Sequence, residues 1–426
     1  MYTLNDFFCG CGGLGLGFQN AGFKIVGAWD FDKYAVATYR ENVGDHVVQA
    51  DIQKMCIEDV PKADVWAFGF PCQDLSVAGK QAGIKLECAD CGTVWEVSAE
   101  TYSEENLCPG CGGTNHRAAT RSGMFFEIMR LLAEAREREP EKVPKVLVAE
   151  NVKALRKLLP VLEAEYGKAG YKCHAQLFNS KYWGVPQNRE RYIVVGTLDS
   201  LPDTYTYPEE QHDYVPKLST ILEADVDDKF YIADEKAHKI IDQALQRISS
   251  MGKVHATITP DRVDKRQNGR RSKEDEDPMF TLTAQDLHGV IVDDTYGYPT
   301  EREREREREQ WPQGLPEIEV IGMLESSGHD HSRRVHDPDG ISPTATAVAG
   351  GTHHIKIFDH TKYRVRKLTP TEYGRLQAFP MDNWKQVVSN SQAYKQFGNA
   401  VTVTLAEGIG KSIIGYLDSV LGGAAV

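Results

Sequence analysis

The 426-residue chain has no run of 18 or more apolar residues, and its start, MYTLNDFF, lacks the basic-then-apolar pattern of a secretory leader. Neither a membrane span nor export is expected, and the sequence reads as cytoplasmic. Cysteine is sparse and odd in number, nine in all, spread along the chain. That excludes a disulfide scaffold and fits a reducing compartment with metal-binding or catalytic thiols. Positive charge is also short, with 49 Lys and Arg against 62 Asp and Glu and a net charge of −13. This balance disfavours a polyanionic partner without excluding one, because backbone binding needs only a local basic face.

What is present is an alternation. Apolar runs at 26–29, 65–70, 146–149 and 192–196 are interleaved with amphipathic stretches, and 124–138 has helical spacing. This is the βαβ pattern of a doubly wound α/β domain, expected over 1–200. Residues 201–358 break into Gly-, Pro-, Asp- and Thr-rich pieces with short strand signals, suggesting a smaller, irregular, mostly β domain. Helical periodicity returns over 359–426, a segment expected to pack back on the first domain. Two features interrupt this plan. The run EREREREREQ beginning at Glu301 has charges that nearly cancel and reads as a solvated linker. A T-x-T-A core after a proline occurs in both 277–285 and 339–348, a faint internal echo.

Several segments carry chemistry. DFFCGCGGLGLGF (6–18) contains G-x-G-x-x-G at Gly10, Gly12 and Gly15, which lets backbone approach a nucleotide-like ligand at a helix N-terminus. Alone, it fits NAD equally well. Asp30, in AWDFD, lies one βα unit downstream, where a carboxylate accepts bonds from ribose hydroxyls. GFPCQDLS (69–76) holds Cys72 behind a proline at a strand tip, the setting of a thiolate nucleophile. AENV ends a further strand at Glu150, QNRER (187–191) opens another with two arginines, and RKLTPTEYGRLQAFP (366–380) and GNAVTV (398–403) follow.

In this order, these segments resemble the cytosine-5 DNA methyltransferases of bacteria and phages. The resemblance implies a Rossmann-like methyltransferase domain with a target-recognition domain over 201–358, S-adenosylmethionine as methyl donor, and double-stranded DNA as substrate. It implies that Cys72 adds to C6 of a flipped cytosine, that Glu150 bonds the exocyclic amine and N3, and that Arg189 and Arg191 clamp the base carbonyl and that carboxylate. Cofactor contacts are implied for Phe7, Gly10, Gly12, Gly15, Phe18, Asp30, Phe31, Asp51, Ile52, Gly69, Pro71, Asn399 and Val401, with Phe18 packing against adenine. A monomer is expected. A cognate restriction endonuclease is not inferable.

One departure from that pattern is large. Residues 85–119 interrupt two pieces that are nearly continuous in the family, and carry Cys88-Ala-Asp-Cys91-Gly and Cys108-Pro-Gly-Cys111-Gly with sixteen residues between the pairs. Two C-x-x-C-G units at this spacing predict one closed, structural zinc site held by four cysteines. Placed after the nucleophile, this ribbon is expected to ride on the loop that closes over the base. There Lys80, Lys85, His116, Arg117 and Arg121 would bring charge to DNA, a passive rigid insertion being the alternative. Arg262, Lys265, Arg266, Arg270, Arg271 and Lys273, with Arg333 and Arg334, are the candidate DNA contacts of the recognition domain. The rivals are a nicotinamide-dependent dehydrogenase, which leaves the cysteine and arginine segments unexplained, the RNA-methylating branch of the same family, and a non-catalytic zinc-ribbon DNA-binding protein.

Overall fold

The computed structural model describes residues 1–71, 84–98, 102, 107–114, 116–120, 123–231, 254–258, 288–292, 317–324, 333–345, 354–359 and 364–422. The first half alternates as its hydrophobic pattern dictates: β1 (Thr3–Phe7), α1 (Gly13–Ala21), β2 (Lys24–Asp30), α2 (Lys33–Asn42), β3 (Val47–Gln49) and β4 (Val65–Phe68). After an inserted sheet of β5 (Ile84–Cys88), β6 (Val94–Val97) and β7 (His116–Ala118) come α3 (Met124–Arg138), β8 (Val146–Val152), α4 (Leu159–Lys168), β9 (Tyr171–Asn179) and β10 (Glu190–Leu198). The main sheet has seven strands in the order β3-β2-β1-β4-β8-β10-β9. β1 to β4 and β8 are parallel, while β10 runs antiparallel to both β8 and β9. Six of the seven residues of β8, VLVAEN, are buried, as expected for a central strand covered on both faces.

The chain's last helix closes this body. α7 (Val403–Leu421) buries Val403, Leu405, Ala406, Ile409, Ile413, Tyr416 and Leu417 at helical spacing and packs against α1 in one core with Leu14, Phe18 and Ala28. It follows α5 (Pro370–Arg375), which opens on a Thr369–Glu372 capping box, and α6 (Asn390–Asn399). The last helix thereby lies against α1. Among the described residues, no helix is long and apolar enough to cross a membrane.

Between the two helical regions lie β11 (Val254–Ile258) paired antiparallel with β12 (His288–Val292), and a mixed sheet of β13 (Val320–Met323), β14 (Arg334–His336), β15 (Lys356–Asp359) and β16 (Arg364–Lys367). The irregular, mostly β character matches expectation. A cut after residue 358 would separate β15 from its antiparallel partner β16. At the other end, Tyr207 past residue 200 still donates to the carbonyls of His174 and Ile193 on the main sheet. Of the internal echo, 339–345 is described and the first copy, like the Glu-Arg run, lies outside the described residues.

Candidate active site

The carboxyl edge of the main sheet gathers the predicted residues. Glu150 sits near the end of β8, 7% exposed. Because β10 pairs Ile193 with Glu150, Arg191 two residues earlier lies diagonally across on the same face. Its Nε is 3.1 Å from Glu150 Oε1. This is an ion pair without a well-directed hydrogen bond, and Oε1 remains a buried acceptor with no hydrogen-bond partner. Burial pushes the Glu150 carboxyl above its usual range, while the Arg191 and Arg189 guanidinium groups pull it back. A carboxyl so balanced can share a proton with a ring nitrogen.

Arg189 occupies a different setting. Only 2% exposed, it donates to the Ala345 carbonyl at 3.2 Å and the Ala400 carbonyl at 2.8 Å. Beside it, fully buried Gln187 donates to the Leu376 carbonyl at 2.7 Å and accepts from the Ala345 amide at 2.9 Å. These two side chains tie the start of β10 to the recognition segment and to the turn before α7.

Cys72 lies outside the described residues, and Pro71 is the last described residue before it. What precedes it is held firmly: Asn151 Nδ2, 1% exposed, donates to the Phe70 carbonyl at 3.0 Å. Sequence reading passed over Asn151, although its place beside Glu150 was the available signal. Gly69 adjoins the site, since a Cβ there would stand 3.4 Å from Glu150 Oε2.

The glycine loop meets β2 and α7. Gly10 and Gly12 adopt positive φ of 55° and 99°. The Gly10 amide donates to Asp30 Oδ2 at 2.9 Å, and the Asp32 amide to Asp30 Oδ1 at 2.7 Å. Burial raises the Asp30 pKa, while these two amides lower it. A Cβ on Gly13 would lie 2.4 Å from the Val401 carbonyl oxygen, so the Val401 backbone seals the base of the loop while its side chain is buried. A Cβ on Gly15 would lie 2.5 Å from Asp6 Oδ2, so that glycine serves close packing of α1 on β1. Asp51 caps the turn at Ile52–Lys54, Ile52 is buried, and Asn399 is exposed at the end of α6. Phe31, next to Asp30, exposes 73% of its surface.

Two predicted contacts are corrected. Phe18 is fully buried on the α1 face that meets α7, its ring 5.2 Å from Phe23, and has no surface for adenine. Phe7 is likewise fully buried, stacked on Trp29 at 4.9 Å. Phe8, which sequence reading did not name, is half-buried in the loop with a positive φ of 56°. An exposed aromatic next to a buried carboxylate that accepts from the Gly10 amide fits the adenosine portion of a nucleoside cofactor.

The cysteine pairs converge. The four Sγ atoms lie within 4.8 Å of one another, with Cys88–Cys111 at 3.6 Å and Cys91–Cys108 at 3.4 Å. A regular zinc tetrahedron with Zn–S near 2.3 Å has edges of about 3.8 Å, so the set fits zinc without rearrangement. Each unit turns alike: Gly92 and Gly112 both have φ of 72°, and their amides bond the Cys88 and Cys108 carbonyls at 2.9 and 2.8 Å. The ribbon packs against the catalytic body. Leu86, Val97 and Ala118 are buried, and Leu86 and Val97 share one core with Ile52, Phe125 and Phe126 of the catalytic body. Of its basic residues, His116 is edge-on to Trp95 and Phe126, and Arg117 pairs with Glu87 at 3.1 Å. Lys85 is described, while Lys80, Arg121 and the cluster from Arg262 to Lys273 lie outside the described residues. Arg333 and Arg334 are described, and Arg333 Nε donates to the Leu324 carbonyl at 3.1 Å.

A parallel sheet with one reversed strand inserted before its edge, a glycine loop at its first turn, and a buried carboxylate facing an arginine together define a nucleoside-cofactor transferase. The chain belongs to the C-5 cytosine-specific DNA methylase family, whose profile matches residues 2–99 and 111–415. It is a DNA (cytosine-5)-methyltransferase that uses S-adenosylmethionine. Similar proteins include orphan methyltransferase M.SPBetaI of Bacillus phage SPbeta, 27% identical over 96% of both chains. Type II methyltransferase M.NlaX of Neisseria lactamica is 28% identical over 99% of this chain and 98% of its own. Among solved structures, S. pombe Dnmt2 methyltransferase shares the fold, with a TM-score of 0.54 at 15% identity over 98% of this chain and 99% of that one. The break in the family match, 100–110, falls within the ribbon.

Proposed function

We propose that Cys72 is the nucleophile that adds to C6 of a cytosine flipped out of duplex DNA, with Glu150 and Arg191 holding the ring. The buried Glu150 carboxyl, set against Arg191 at 3.1 Å with one oxygen lacking a hydrogen-bond partner, carries this reading. Attack at C6 places negative charge on the ring, so N3 needs a proton or a strong donor and O2 needs a cation. Glu150 supplies the first and Arg191 the second, while Arg189 acts as a positioning residue through the Ala345 and Ala400 carbonyls. Gly10, Gly12, Asp30, Phe31, Asp51, Ile52, Gly69, Pro71, Asn399 and Val401 form the cofactor cleft, with Phe8 replacing Phe7 and Phe18. Bound there, S-adenosylmethionine supplies an electrophilic methyl group to C5. Loss of the C5 proton then lets the C6–S bond break and frees the Cys72 thiolate.

The catalytic body spans 1–207 and 368–426, the recognition domain 208–367, and the ribbon 85–119 holds zinc on Cys88, Cys91, Cys108 and Cys111. The protein acts on double-stranded DNA as a cytoplasmic monomer. The type II and orphan names of its relatives support a place in restriction–modification, with or without an endonuclease. The test is a duplex carrying 5-fluorocytosine at candidate sites. Because fluorine cannot leave as a cation, the C6–S bond should persist, giving with cofactor a covalent adduct whose mass maps to Cys72. Absence of any adduct, or retention of it in Cys72→Ser, refutes the assignment.

A further inference from the structure

The ribbon's docking on the catalytic body has its own geometry. Both backbone groups of Ala118, in β7, are captured by the body. Its amide donates to Glu127 Oε1 on α3 at 3.0 Å, and its carbonyl accepts from Gln53 Nε2 at 2.9 Å. Glu127 is 2% exposed and its other oxygen accepts from Arg130 Nε at 2.9 Å. Arg130 Nη2 then donates to the carbonyls of Ile52 at 2.9 Å and Met55 at 3.1 Å. Two hydrogen-bonded routes therefore run from one ribbon residue to the turn that follows Asp51, one to Gln53 within it and the other to the Ile52 and Met55 carbonyls. On the other side, Ala118 pairs with Leu86 and His116 pairs with Cys88, so the strand that docks is in register with the strand that holds the first thiolate. Tyr102 adds a separate anchor, donating to Glu165 at 2.5 Å.

Charge argues against a DNA-clamping role. Residues 85–119 contain two Lys and Arg against six Asp and Glu, and thiolates bound to zinc add further negative charge. We propose that the zinc ribbon is a strut for the adenine side of the cofactor cleft, with Gln53, Glu127 and Arg130 as positioning residues that couple metal occupancy to cofactor affinity. This rests on the assignment of Asp51 and Ile52 to the cofactor cleft and of the four cysteines to zinc.

Coupling is reciprocal: if zinc tightens cofactor binding by some factor, cofactor tightens zinc binding by the same factor. The full-length zinc protein would be titrated with S-adenosylhomocysteine by calorimetry. Its zinc affinity would be measured by equilibrium competition with a chromophoric chelator, with and without saturating S-adenosylhomocysteine. Gln53→Glu keeps the side-chain shape and removes the donor to Ala118. The expected result is about a tenfold gain in zinc affinity for the wild type on cofactor saturation. The variant should fold, retain zinc, bind the cofactor about tenfold more weakly, show most of the zinc gain lost, and bind duplex DNA as before. Gln53→Lys, which restores a donor, should recover part of the coupling, and a merely structural loss would not. A wild type that binds the cofactor yet holds zinc equally tightly with and without it overturns the strut. A wild type that binds no cofactor overturns the reading of the cleft, and the strut with it.

Discussion

Asp6 offers a sharp test of how the glycine loop is supported. Its side chain is fully buried near the end of β1, and neither carboxyl oxygen has a hydrogen-bond partner of good geometry. Burial raises its pKa to about 8, opposed by the Gly15 amide and aided by the charge of Asp30. An unfolded chain releases this proton near the ordinary aspartate value of about 3.9. Between roughly pH 4 and 8 the folded protein thus carries one proton more than the unfolded one. Its stability must fall with rising pH across that window, by about 1.4 kcal/mol per pH unit, and level off above it. Asp6→Asn has the same shape and cannot ionise. The difference in unfolding free energy between wild type and Asp6→Asn should therefore shift by about 2.7 kcal/mol from pH 5 to pH 7, against the wild type at the higher pH. Any constant offset from the new amide drops out, as do the titrating groups that do not interact with Asp6. Urea unfolding followed by the fluorescence of buried Trp29 and Trp66 at pH 5, 6, 7, 8 and 9 gives the comparison. A flat difference from pH 5 to 8 would mean that Asp6 is ionised in the folded protein, and this account of the loop's underside would fail.

Further outcomes follow from contacts already described. Gly13→Ala drives a methyl into the Val401 carbonyl, backbone against backbone, and should cost about 1–3 kcal/mol and weaken cofactor binding. Gly167→Ala, in α4 with nothing within 4 Å, should instead stabilise by about 0.5–1 kcal/mol, and thermal melts of the pair would show opposite signs. Glu150→Gln should leave duplex and cofactor affinity near wild type and slow single-turnover methylation by about 10²- to 10⁴-fold, with an unchanged rate constant counting against its role.

Much of this architecture was legible in the sequence because hydrophobic period carries it. The helix at Met124–Arg138 has the bounds its apolar spacing predicts, and the runs at 65, 146 and 192 became adjacent strands. Glu150 and Arg191 could be named because the segments that carry them, AENV and QNRER, resemble those of the family. Phe18 was misread although its own spacing gave warning: it lies four residues after Leu14 on α1, a position shared with the buried face. Phe8 left no such trace, since its positive φ is a backbone property that an aromatic residue does not announce. The ribbon's metal was legible from local spacing, whereas its docking depends on Gln53 and Glu127, far from Ala118 in sequence or placed across from it by folding. The pairing of β15 with β16 on either side of residue 358 is invisible to composition.

The backward course of β10 sets where its arginines arrive. In an all-parallel sheet, functional side chains come from strand exits, and a strand's opening residues lie at the far rim, about 20 Å away for a strand as long as β8. Reversal turns an entrance into a neighbour of the exits, so residues 189–191 arrive beside 69–71 and 150. Three chain segments can thus meet at one rim without any long excursion.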